Sequence, residues 1–240
     1  MISSINNEKI KYIKKLYNKK YREKEKKYVI EGIHFVEEAY KNNLLEEVYI
    51  LDGYDINCDV KKTIVKSNIL KTITGINSIK IIGIVKYNTN NKIVGNKILI
   101  LDNIQDPGNL GTIIRSSKAF SIDTIILSNT VDLYNPKVLR STQGLLFNIN
   151  IINKNIKDAI CEVREKNILI YGTDVKEGID VRSINNKSYC LIMGNEGRGL
   201  SDDIKKLTDK NLYIKMNDSC ESLNVGVACS ILLYELNYKE

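Results

Sequence analysis

LDNIQDPGNLGTIIRSSKAFSID, residues 101–123, joins the end of an apolar strand to the start of a helix. KILILD before it reads as a buried strand. Asp106-Pro107-Gly108-Asn109 reads as a turn: Pro107 presets φ, Gly108 permits a tight backbone, and Asn109 suits a helix cap. Arg115 follows within two turns, flanked by Ile113, Ile114 and Ala119, so that its guanidinium emerges from an otherwise apolar helix. Ligands of α/β sheets bind where strands end and helices begin.

Two later segments repeat the pattern of an apolar run ending in a polar, glycine-rich loop. LIMGNEGRGLS (191–201) puts Glu196 in such a loop, and IKMNDSCESLNVGVACSILLYE (214–235) puts Ser222 and Asn224 before the last helix. From 97 onward strands and helices alternate. The strands are near-continuous apolar runs, which predicts a doubly wound parallel sheet covered on both faces. No GxGxxG follows the first strand and no GxxxxGK[ST] occurs, which argues against a dinucleotide fold and a P-loop enzyme.

Residues 1–85 read as a small α/β unit, and the Asn-rich stretch 86–96 as a linker to a domain over 97–240. The net charge of +7 is uneven: residues 1–27 hold ten Lys/Arg and three Glu, and the rest of the chain balances. Ile10, Ile13, Leu16 and Tyr17 recur at helical spacing, predicting an amphipathic basic helix over about 7–24. Nucleic-acid contact, membrane-surface contact and a merely solvated face all fit such a helix. Its apolar side carries no Trp or Phe, which weakens the membrane reading.

No apolar run reaches the length of roughly 20 residues that spans a bilayer, and the N-terminus lacks a signal-peptide core. A cytoplasmic protein is the simplest reading. The five cysteines are odd in number and form no CxxC, so buried free thiols are expected rather than disulfides or a zinc cluster. The single histidine, His34, sits in an ordinary helical pattern. A multi-histidine metal site is excluded and no metal is expected.

The three segments, in this order, resemble the three motifs of the SpoU (TrmH-type) RNA ribose 2'-O-methyltransferases of the SPOUT superfamily. The stretch KKYREKEKKYVIEGIHFVEEA is similar to the small RNA-binding domain that precedes the catalytic domain in many of these enzymes. The resemblance implies a C-terminal sheet closed by a deep trefoil knot, S-adenosylmethionine as cofactor and a homodimer. It implies an RNA substrate, with ribosomal RNA favoured by the separate N-terminal domain. Asn109, Arg115, Glu196, Ser222 and Asn224 fall on the active-site positions. The cofactor positions correspond to Met193, Gly194, Ile214, Met216 and Leu223, with Thr142 and Gly144 expected in the same cleft. RNA contacts are expected from Lys11, Lys14, Lys15, Lys19, Lys20, Arg22 and Arg115.

The family arginine has been proposed as a general base. A guanidinium is a poor base at neutral pH. A role in fixing the target phosphate and stabilising charge on O2' fits its chemistry better, with proton removal left to phosphate, water or a carboxylate. The sequence departs from the family pattern at Lys215, where proline is usual, at Gly226, where serine is common, and at Gln143. Two rival readings are a tRNA enzyme of the same chemistry and a non-catalytic RNA-binding or ribosome-assembly factor. Loss of Arg115, Glu196, Ser222 or Asn224 would mark the second rival, and all four are present.

Overall fold

The computed structural model describes residues 1–175 and 178–238. The chain forms two compact units. One holds Met1–Thr89 together with Tyr134–Phe147; the other holds Asn90–Leu133 and Asn148–Glu240. The first unit is thus discontinuous: a segment expected inside the C-terminal domain clusters with the N-terminal residues.

In the first unit, α1 (Glu8–Leu16) and α2 (Lys19–Glu25) lead into β1 (Lys27–Glu31), α3 (Ile33–Lys41), β2 (Leu45–Leu51), β3 (Lys61–Val65), α4 (Ser67–Thr74) and β4 (Ile81–Lys86). The sheet order is β1-β4-β2-β3, antiparallel except for the β2–β3 pair. Ile10, Ile13 and Leu16 of α1 pack with Ile69, Leu70 and Ile73 of α4 and with Tyr49, Ile82 and Ile84 of the sheet. Gly83 lies where β4 is crowded: a Cβ there would stand 2.8 Å from Leu45 Cδ1.

The single basic helix expected over 7–24 is two helices. Asn18 breaks it, accepting from the Lys20 N–H as the cap of α2. Arg22 is buried, only 4% exposed, and its Nη1 donates to the carbonyls of Leu16 (3.0 Å) and Tyr17 (2.7 Å). It satisfies the open C-terminal carbonyls of α1 and fixes the angle between the two helices.

Tyr134–Phe147 contains α6 (Pro136–Thr142). Arg140 reaches Glu31 with Nε (3.0 Å) and Nη2 (3.2 Å), and the Tyr17 hydroxyl donates to the same carboxylate at 2.8 Å. Tyr134 stacks between Tyr28 and Tyr87, at centroid distances of 4.3 and 4.1 Å. Aromatic and ionic contacts together hold this segment in the first unit.

The second unit is built on a seven-stranded sheet: β5 (Lys97–Asp102), β6 (Thr124–Ser128), β7 (Asn150–Asn153), β8 (Ile170–Thr173), β9 (Ile179–Asp180), β10 (Tyr189–Met193) and β11 (Lys210–Tyr213). The order is β7-β6-β5-β10-β8-β11-β9 and every pairing is parallel. Ile98, Ile100, Ile126, Cys190 and Ile192 share one core with Ile156, Ala159, Ile160 and Val163 of α7 (Ile156–Glu165). Leu99, Leu101 and Leu191, pointing to the other face by the two-residue repeat, are also fully buried. This two-sided burial is what the continuous apolar runs require.

From β5 the chain moves outward through β6 to β7; from β10 it moves the opposite way, to β11. The junction of β5 and β10 is therefore the switch point of the sheet, where open α/β folds hold their ligands. α5 (Pro107–Ala119) follows β5, α8 (Asp202–Lys205) lies between β10 and β11, and α9 (Val225–Asn237) is the last helix of the described chain. Ser116 of α5 and Ser230 of α9 share a 2.6 Å hydrogen bond. Three of the five thiols are buried, Cys58, Cys190 and Cys229. Cys161 and Cys220 are exposed, unlike the expectation of buried thiols throughout.

Candidate active site

The loops after β5 and β10 open at the switch point and meet the residues preceding α9. Asp106, not Asn109, caps α5: its carboxylate accepts from the Asn109 N–H at 2.9 Å, with Pro107 in the first turn. The Asn109 side chain is thereby released from capping. Its Nδ2 donates to Glu196 Oε1 at 3.2 Å, and its Oδ1 accepts from Asn224 Nδ2 at 2.9 Å. Asn224, rather than Ser222, caps α9. Its Oδ1 accepts from the N–H groups of Gly226 (2.9 Å) and Val227 (3.3 Å).

This chain has a direction. Capping commits the oxygen of Asn224, so its NH₂ must face Asn109. The oxygen of Asn109 is then spent, and its own NH₂ must face an acceptor, the Glu196 carboxylate. That carboxylate also accepts from the backbone of Gln105 (3.1 Å) and Asp106 (2.9 Å) and from Asn195 Nδ2 (3.3 Å). Burial pushes the Glu196 carboxyl up. Hydrogen bonds from Asp106, its own N–H, Asn109 and Gln105 outweigh that and hold it below the usual carboxylate range.

The loop carrying Glu196 is a closed hairpin. Asn195 and Gly199 exchange backbone hydrogen bonds of 3.1 and 2.9 Å. Gly194 must lack a side chain, because a Cβ would lie 2.3 Å from the backbone of Gly199. Asn195 Oδ1 accepts from Gly197 and Arg198, while its Nδ2 donates to the Asn103 carbonyl. Gln105 Nε2 bridges Asn103 Oδ1 and the Asn129 carbonyl, both at 2.7 Å. Sequence reading passed over Gln105 and Asn195. Their flanking motifs were the available signal, but their partners lie far along the chain.

Arg115, on α5, is exposed, and no hydrogen bond or ion pair holds its guanidinium among the described residues. Asn109, Glu196, Ser222 and Asn224 make no hydrogen bond to it. Ser222 is exposed in the loop before α9, and its carbonyl accepts from the Cys220 thiol at 3.4 Å.

The profile of the SpoU rRNA Methylase family matches residues 96–234, and that of the MRM3-like substrate binding domain matches residues 7–77. The chain is 36% identical to a 23S rRNA (guanosine(2553)-2'-O)-methyltransferase of Bacillus subtilis (strain 168), over 98% of both proteins. The chain belongs to the SpoU rRNA methylase family. Its fold is similar to that of an AdoMet-bound rRNA methyltransferase from Sinorhizobium meliloti (TM-score 0.88, 27% identity, covering 98% of this chain and 95% of the other). It is also similar to an RNA methyltransferase of the TrmH family from Porphyromonas gingivalis (TM-score 0.86, 26% identity, 98% of both chains).

The residues expected at the cofactor separate into two groups. Met193, the end of β10, and Gly194 are buried at the switch point; Ile214, Met216 and Leu223 are half-buried in the segment between β11 and α9. No hydrogen bond pairs the main chain of Met216 or Leu223 among the described residues. Apolar side chains beside open backbone groups suit a cofactor with an aromatic base and polar edges, so these residues fit S-adenosylmethionine. Thr142 and Gly144 belong to the first unit. Thr142 is fully buried and its hydroxyl donates to the Leu139 carbonyl (2.8 Å). Gly144, at φ +84°, lies against the His34 and Glu38 side chains.

The expected RNA contacts also divide. Lys11, Lys14, Lys15, Lys19 and Lys20 are exposed, with Lys11 paired to Glu8 (2.8 Å) and Lys19 near Glu23 (3.7 Å). Buried Arg22 is a correction: its Nη1 serves the α1–α2 junction. Among the described residues no group of three or more His, Cys, Asp or Glu could hold a metal, and no helix is long and apolar enough to cross a membrane.

Proposed function

We propose that this protein transfers a methyl group from S-adenosylmethionine to a ribose 2'-hydroxyl of ribosomal RNA in the cytoplasm. The observation that carries the reading is the directed chain Asn224–Asn109–Glu196, which ties the three loops at the switch point of the sheet. The similarity to the Bacillus subtilis enzyme makes a guanosine of 23S rRNA the first nucleotide to examine. Bound S-adenosylmethionine supplies a methyl already activated on a sulfonium. Met193, Gly194, Ile214, Met216 and Leu223 hold it, and Glu196 fixes the loop beside it. Arg115 binds the target phosphate and stabilises negative charge on O2' as its proton passes to water. Ser222, exposed at the mouth of the site, offers a hydroxyl to the ribose. The basic face of α1 and α2 captures the RNA.

The active form is a homodimer of knotted C-terminal domains. Leu232, Leu233 and Leu236 of α9 are buried within one chain, so they do not support the contact. Val227, Tyr234 and Tyr238 do: they are 47–53% exposed, and both tyrosines pack edge-on against Phe120. Sedimentation equilibrium should give twice the 27.3 kDa of the chain, and Tyr234→Glu should return it to 27.3 kDa. Mapping 2'-O-methyl groups in rRNA from a strain lacking the protein tests the activity. An unchanged methylation map, together with no methyl transfer by the purified protein, rejects it.

A further inference from the structure

Tyr21 of α2 is 38% exposed in the most basic part of the chain. Lys15 of α1 holds its ammonium over the Tyr21 ring, 5.8 Å from the centroid. Two other tyrosines of the first unit carry a lysine in the same way. Tyr87 has Lys26 at 5.8 Å, but it is half-buried and Tyr134 stacks on it at 4.1 Å. Tyr54, with Lys80 at 5.6 Å, is exposed but stands outside the basic segment. Tyr21 alone of the three joins an accessible ring to concentrated positive charge. Exposed Lys20 precedes it, and exposed Lys24 lies at i+3, on the same side of α2. The ring is also well placed in space, because buried Arg22, the next residue, pins α2 to the end of α1.

We propose that Tyr21 and Lys15 form a stacking platform for an unpaired nucleotide of the RNA, with Lys20 and Lys24 meeting the adjacent phosphates. This rests on the reading of the protein as an RNA methyltransferase. A duplex hides its base faces, so lysines alone would bind paired and unpaired RNA through phosphate only. An aromatic face adds affinity solely where a base is free to leave its stack. The substrate element captured by the first unit is then a loop or bulge rather than a continuous helix.

The chain contains no tryptophan, so Tyr21→Trp in the full-length protein creates a single fluorescent reporter. Its emission should be quenched by an RNA hairpin with an unstructured loop and not by a blunt RNA duplex. Tyr21→Leu should weaken binding of the hairpin about tenfold, leave duplex binding unchanged and keep the salt dependence of both. Tyr21→Phe should bind like the unsubstituted chain. Circular dichroism confirms that the variants fold. Equal hairpin affinity for Tyr21→Leu and the unsubstituted protein, or equal quenching by both RNAs, overturns the platform while leaving the methyltransferase reading in place. Failure of the unsubstituted protein to bind either RNA overturns both.

Discussion

The Asn224 amide donates to Asn109 across 2.9 Å although the two residues are 115 positions apart. Each amide has one orientation only, since helix capping at one end and a carboxylate at the other leave no choice.

Asn109→Asp is therefore far from conservative. It replaces a donor with a second carboxylate beside Glu196. The lost hydrogen bond and the new repulsion should together cost about 2–4 kcal/mol at the site. Methyl transfer should fall by at least about 30-fold at neutral pH. Asn224→Asp keeps the cap but loses the donor to Asn109, and should cost less stability than Asn224→Ala. Thermal unfolding and single-turnover methyl transfer measure the two effects separately.

Arg115→Ala should leave the melting temperature and S-adenosylmethionine affinity nearly unchanged, because the side chain is exposed and makes no hydrogen bond or ion pair among the described residues. The rate of methyl transfer should fall about 100- to 1000-fold, the usual effect of losing one donor to a developing charge. Calorimetric titration with the cofactor and a radiolabelled methyl assay check both halves. Turnover near that of the unsubstituted protein would remove Arg115 from the chemistry.

Glu196 sets an acid limit. Its folded pKa lies below the ordinary carboxylate value of about 4.3, so its hydrogen bonds stabilise the native state fully only above that value. The contribution is lost as pH falls through the lower, folded value. Glu196→Gln should be less stable than the unsubstituted protein at pH 7, and the gap should narrow steadily below about pH 4.3. Chemical denaturation over that range, carried out on both proteins, gives the comparison.

Arg22→Ala should behave unlike substitution of its basic neighbours. Removing it leaves the Leu16 and Tyr17 carbonyls without their donor, at a cost of about 1–3 kcal/mol. The salt slope of RNA binding should stay the same, since a buried guanidinium releases no counterion. Lys14→Ala or Lys20→Ala should instead leave stability intact and flatten that slope by about one ion. Denaturation midpoints and salt titrations of affinity distinguish the two classes.

Much of this was legible in the sequence. Continuous apolar runs predicted a parallel sheet because side chains on both faces must be buried, as Ile100 and Leu101 are. Turn chemistry placed the loop after β5, since proline and glycine act within a few residues. Asp106 took the cap expected of Asn109, because several residues at a helix start can compete for the same N–H groups. The pattern of lysines and arginines does not say which cation will be buried, so Arg22 looked like Lys20. Gln105 and Asn195 were missed because each also reaches a distant residue: Gln105 bonds Asn129, 24 positions on, and Asn195 reaches Asn103, 92 positions away. The partition of Tyr134–Phe147 was hidden for the same reason, as Arg140 pairs with Glu31 across 109 positions.

That partition bears on protein engineering and on the evolution of the family. A chimera that exchanges only the leading residues with a relative would separate Glu31, and the Tyr17 hydroxyl bonded to it, from the Arg140 that Glu31 engages. The inherited α6 would then face a foreign partner. A workable exchange must carry two pieces of gene, 1–89 and 134–147, and substitutions in one should be compensated in the other. Specificity for a new RNA would thus arise by coordinated change within the reading frame of the catalytic half, not by adding a new module at its front.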